Sequence, residues 1–75
     1  MGGKLKEFVP IVFVNNLRQL RQDSGMSISE FADAVGVHYM TVYRWEQGAR
    51  IPSVPMMVKI ANVFDITLEK LFVVE

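Results

Sequence analysis

His38 is the only histidine in a chain of 75 residues without cysteine. An imidazole therefore has no thiol to activate, and a metal has no cluster of nitrogen and sulfur ligands to enter. Glu30 and Asp33 fall on one face of a helical wheel, but capping and solvation explain them better than a shared acid–base pocket. No glycine-rich run offers a phosphate cradle. No catalytic residue and no metal site is assigned, no cofactor is expected, and the chain reads as a non-enzyme. What remains is recognition chemistry. The stretch HYMTVYRWEQG, residues 38–48, holds two tyrosines, a tryptophan, a methionine, a histidine and an arginine, more large groups than one side of a short helix can bury. At about 100° per residue, Thr41, Trp45, His38, Val42 and Glu46 share one arc, and Tyr39, Tyr43, Gln47, Met40 and Arg44 share the other. Val42 and Trp45 anchor the inner arc to a core. The outer arc combines rings, a thioether, an amide and a guanidinium, a set suited to stacking, hydrogen bonding and apolar contact with a partner.

The flanking sequence supplies the elements that would position this helix. Ser27 and Glu30 form a capping box, followed by Ile28, Phe31, Ala32 and Val35 at helical spacing and by Gly36 as a stop. Only Val37 and His38 then separate this helix from the next, so the two meet through a tight turn: a helix-turn-helix. Upstream, Asn15 or Asn16 is expected to cap a first helix with Leu17, Leu20 and Ser24 along one stripe, ending at Gly25. Downstream, Ala49 to Pro52 reads as a loop. Ser53 caps a fourth helix that tolerates Pro55 in its first turn and buries Met56, Met57, Ile60, Ala61 and Phe64. Thr67 is expected to cap a last short helix through Leu68, Leu71 and Phe72, before the apolar tail Val73-Val74.

Residues 7–14, EFVPIVFV, are rich in β-formers with apolar side chains on both alternating faces, and Pro10 confines a strand there to a sheet edge. The expectation is a short N-terminal strand within an extension of residues 1–14, and a helical domain over residues 15–75. One small core must hold the fold, because 75 residues leave no room for a second domain or an effector domain. The longest apolar run, Phe8 to Val14, is far short of the roughly 20 residues that span a bilayer, so no membrane partner is expected. Net charge is zero. Affinity for a polyanion must then come from local placement of Arg18, Arg44, Arg50 and Lys59 rather than from bulk charge.

The pattern GMSISEFADAVGVHYMTVYRWEQGARIP, followed by SVPMMVKIANVFDITLEKLF, resembles the phage repressor and Cro type of helix-turn-helix domain from Leu17 to Phe72. Ala32, Gly36 and Val37 match its small helix contact and turn, Glu46 and Gly48 the end of its recognition helix, and Pro52 the start of its fourth helix. The resemblance implies an all-α, five-helix, lambda-repressor-like fold and a sequence-specific regulator of transcription, a repressor that binds double-stranded DNA as a homodimer in a prokaryotic or phage-encoded cytoplasmic setting. In such domains the second helix of the pair enters the major groove and the first crosses the phosphates. Carried over residue by residue, His38, Tyr39, Met40 and Arg44 are the base-reading candidates. Arg18, Ser27, Tyr43, Gln47 and Arg50 are the phosphate candidates. Arg21 and Glu46 match an internal ion pair of related repressors and are read as structural.

The match is uneven. Ile28 stands where the family usually has a phosphate-bracing glutamine, His38 replaces a serine or threonine cap, and Tyr39 and Met40 replace amides or arginine. Readout would be unusually apolar. Tyr39, Tyr43 and Met40 also have a plainer reading as packing residues, and Gln47 and Arg50 as solvated surface. The competing function is a protein-interaction module, an antitoxin or anti-repressor that keeps the fold with weak DNA binding. No small-molecule effector is expected in this chain. For residues 7–14, assisted by the tail Phe72-Val73-Val74, the expectation is a role in dimerisation.

Overall fold

A computed structural model of the chain describes residues 2–73, with side chains from residue 11 onward. Four α-helices and one 3₁₀ helix succeed one another: α1 Gly2–Asp23, α2 Ile28–Val35, α3 Tyr39–Glu46, α4 Val54–Val63 and the 3₁₀ helix Leu68–Phe72. The expected strand is absent among the described residues. EFVPIVFV lies within α1, so the division at residue 14 falls inside one helix, and Val12 and Phe13 are buried together with Leu17. The physical reason lies in partners. An edge strand needs a ladder to satisfy its backbone, and no second strand is available among the described residues, whereas a helix satisfies its backbone internally. Val12, Phe13, Leu17 and Leu20 then fall on one helical stripe. Burial of that stripe outweighs the few tenths of a kcal/mol by which each β-branched residue disfavours a helix, together with the donor that Pro10 lacks inside α1.

Two expected caps are corrected as well. Neither Asn15 nor Asn16 starts a helix. Instead, the Asn16 amide nitrogen donates to the carbonyls of Leu71 and Val73 at 3.0 and 2.8 Å, which fastens the C-terminal 3₁₀ helix to α1. Thr67 precedes that helix but makes no side-chain cap. Of the apolar tail, Val74 lies outside the described residues, and Val73 is extended and exposed.

The core gathers residues from every element: Phe13 and Leu17 from α1, Phe31 and Val35 from α2, Val42 and Trp45 from α3, Ile60 from α4, and Leu71. Phe31 stacks on Phe64 with ring centroids 4.9 Å apart, and Phe13 meets Phe72 at 5.6 Å. Aromatic pairs at such spacing contribute about 0.5–1.5 kcal/mol each beyond area burial.

Candidate nucleic-acid interface

The helix pair α2–α3 is delimited by three local devices, one at the start of α2 and two at the turn into α3. Ser27 Oγ accepts the Glu30 amide at 3.1 Å, and Glu30 returns a carboxylate oxygen to the Ser27 amide at 2.9 Å. The bond from the Ser27 backbone amide, with a smaller contribution from the Ser27 side chain, holds the Glu30 carboxyl below its ordinary value. Gly36 closes α2 at φ +78°, a left-handed conformation that glycine adopts without a Cβ penalty. A Cβ there would also meet Lys59 Nζ at 3.0 Å. His38 then caps α3, its Nδ1 accepting the Met40 amide at 3.2 Å. An imidazole that accepts through Nδ1 in its neutral form carries its proton on Nε2, so Nε2 is left as a donor at the helix start. The His38 ring also lies 4.7 Å from the Tyr39 ring.

On α3 the two arcs separate, except that His38 of the inner arc is exposed at the helix start and Thr41 is only half-buried. Val42, Trp45 and Glu46 are buried, whereas Tyr39 is 50% exposed and Tyr43 44%. Arg44 and Gln47 are also exposed, and Met40 is half-buried. Arg44 and Arg50 line a shallow groove of about 390 Å³ between α3 and the start of α4, together with Thr41, Ile51 and Ser53. Ser53 caps α4 by accepting the Met56 amide at 3.3 Å. Sequence periodicity had no means to unite Arg50 and Ser53 with Arg44, because the loop between them has no period. Ser27 stands at the exposed start of α2. Its oxygen is engaged as a cap for the Glu30 amide. Ile28 is partly buried against the core, consistent with its apolar chemistry.

Behind the exposed face lies a charged cluster. Arg21 Nε and Nη2 donate to the two carboxylate oxygens of Glu46 at 2.6 and 3.0 Å, and Arg21 Nη1 donates to the Met26 carbonyl at 3.0 Å. Glu46 is 3% exposed. The hydrogen bonds it donates to Glu46 hold the Arg21 guanidinium above its ordinary value against the opposing effect of burial. The pair ties the end of α3 to α1. Arg18, a phosphate candidate by resemblance, has its guanidinium engaged in the same cluster: Nη2 donates to the Glu46 carbonyl at 2.6 Å, and Nε lies 3.5 Å from a Glu46 carboxylate oxygen. Nothing in the hydropathy pattern distinguishes this placement from a solvated arginine.

No helix among the described residues is long and apolar enough to cross a membrane. No group of acidic residues, histidine or cysteine that could hold a metal occurs among them.

Comparison with known proteins places this arrangement. An HTH-type transcriptional regulator of Archaeoglobus fulgidus is 39% identical over 57 residues, which cover 76% of this chain and 81% of that protein. An HTH-type transcriptional regulatory protein of Pyrococcus furiosus is 35% identical over 54 residues, 72% of this chain but 17% of that much longer protein. Among solved structures, the restriction-modification controller protein C.AhdI of Aeromonas hydrophila superposes with a TM-score of 0.76 at 31% identity, covering 89% of this chain and 98% of that one. The helix-turn-helix family HTH_3 matches residues 17–71, and the chain belongs to that family.

Proposed function

We propose that this DNA-binding transcription regulator acts as a Cro-like repressor that reads the major groove with α3. The observation that carries the reading is the two-faced character of α3. Val42, Trp45 and Glu46 hold one side to the core, while Tyr39, Tyr43, Arg44 and Gln47 stand in solvent on the other. Large side chains on the exposed side of a rigidly capped helix suit a groove about 12 Å wide. His38, Tyr39, Met40 and Arg44 are the base readers, with Arg44 able to take guanine O6 and N7. Tyrosine and methionine favour stacking and the thymine methyl. Ser27, Tyr43, Gln47 and Arg50 supply phosphate donors from both sides of α3.

The reading includes a homodimer, since helix-turn-helix domains gain useful affinity by placing two copies on two half-sites. Ile11 is 58% exposed on α1, and Phe72 and Val73 add apolar surface at the C-terminal end. Because Val12 and Phe13 belong to the core, removing residues 1–13 would unfold the domain rather than test its assembly. Sedimentation equilibrium of Ile11→Lys is the appropriate measurement, and a variant as dimeric as the parent excludes this surface.

Selection from random-sequence duplex followed by footprinting tests the reading as a whole. With the selected duplex, Arg44→Ala is expected to lose about 1–3 kcal/mol of specific binding and leave the melting temperature unchanged. Equal affinity for selected and random duplex in the parent would refute sequence-specific reading.

A further inference from the structure

We infer that Arg18 is a positioning residue for the reading helix: it caps the last carbonyl of α3, sets the orientation of α3 on α1, and makes no phosphate contact of its own. The inference rests on the function proposed above and adds to it a residue that acts through another. The carbonyls at the end of α3 are accounted for one by one. Tyr43 O accepts the Gln47 amide at 3.0 Å, Arg44 O accepts the Ala49 and Arg50 amides at 3.0 and 3.3 Å, and Trp45 O accepts the Gly48 amide at 3.1 Å. Among the described residues no backbone amide reaches Glu46 O. Arg18 Nη2 fills that place at 2.6 Å.

The same guanidinium sets Nε 3.5 Å from the Glu46 carboxylate, so one side chain spans the backbone and the side chain of one residue. A planar, pre-organised fork suits this geometry better than a lysine ammonium, a point charge on a flexible stem. The cation also sits at a helix C-terminus, where it is favoured by the peptide dipoles. Arg21, one turn along α1, donates to both carboxylate oxygens and shares Oε1 with Arg18. Glu46 is thereby gripped at two points, one through its backbone.

Leverage makes this matter for reading. Tyr39 lies seven residues from Glu46, roughly 10 Å along the helix axis. A tilt of roughly 10° at the Glu46 end would move the Tyr39 end by roughly 2 Å, more than a base-edge hydrogen bond tolerates.

The test compares Arg18→Met and Arg18→Lys with the parent on a selected duplex and on a random-sequence duplex of equal length, across a salt series and at a temperature where all three are folded. A positioning role predicts that both variants lose about tenfold in affinity for the selected duplex, keep their affinity for the random duplex, and keep the slope of log K against log salt. A phosphate contact predicts instead that Arg18→Met weakens both duplexes together with a slope reduced by about 0.9, while Arg18→Lys binds like the parent. That result, or unchanged affinity of both variants for the selected duplex, overturns the proposal. A second readout needs no DNA. Amide exchange at Ala49 should accelerate in Arg18→Met while the Val37 amide, at the end of α2, stays as in the parent. Unchanged exchange at Ala49 also overturns it. A parent that binds every duplex alike would count against the proposed function, and the exchange measurement would still decide the role of Arg18.

Discussion

Replacing Glu46 by alanine should be among the most destabilising single changes available in this domain that do not open a hydrophobic cavity. The carboxylate is 3% exposed and takes two hydrogen bonds from Arg21, whose own side chain is 16% exposed, with Arg18 alongside at 42%. Its removal leaves Arg21 with the Met26 carbonyl as its remaining protein partner, in a partly buried setting. Breaking a fully buried pair costs about 3–5 kcal/mol. Because Arg18 can turn to solvent and Arg21 retains some access to it, about 2–4 kcal/mol is the better expectation. A domain of this length is stable by about 4–11 kcal/mol, so the change removes a large fraction, and the melting temperature should fall by about 8–32 °C. Urea unfolding followed by the fluorescence of the single tryptophan, Trp45, which adjoins Glu46 in the chain, measures it directly. Arg21→Met should cost somewhat less, because Arg18 still faces the carboxylate, and Arg18→Met least. The double variant Arg21→Met with Glu46→Leu should recover much of either single loss, since apolar replacement of a whole buried pair is often neutral. A loss below about 1 kcal/mol for Glu46→Ala, or strictly additive losses in the cycle, would refute the reasoning.

Glu30 links the capping box to pH. Its carboxyl is held low by its bonds to Ser27, so its contribution is fully present above the ordinary carboxylate range and is lost as pH falls through the lowered value. Stability measured from pH 7 down into the acid range should show this component in the parent and not in Glu30→Gln, and identical profiles would exclude it. Pro10 lies inside α1, where a proline costs about 3 kcal/mol relative to alanine. Pro10→Ala should therefore raise both helical circular dichroism and the melting temperature, whereas a loss of either would favour an extended segment.

Much of this molecule can be read along the chain because it is local. The capping box at Ser27 and Glu30, the left-handed Gly36, and the stripes of α2 and α4 depend on contacts three or four residues apart, so residue type and spacing suffice to place them. The division of α3 into a buried and an exposed arc follows from the same periodicity. The segment EFVPIVFV is the contrary case. Its β-branched composition favours a strand by local propensity, yet a strand must find its partner elsewhere in the fold, and with none among the described residues α1 continues through it and buries Val12 and Phe13. Arg18 and Asn16 show the same limit at single side chains. A phosphate, a solvated surface and a distant carbonyl are all chemically suitable partners for either one. Only the packing of α1 against α3 and against the 3₁₀ helix brings Glu46 to Arg18 and Leu71 to Asn16, 28 and 55 residues away. Hydrogen-bonding capacity is a property of the residue, but its partner is a property of the assembled chain.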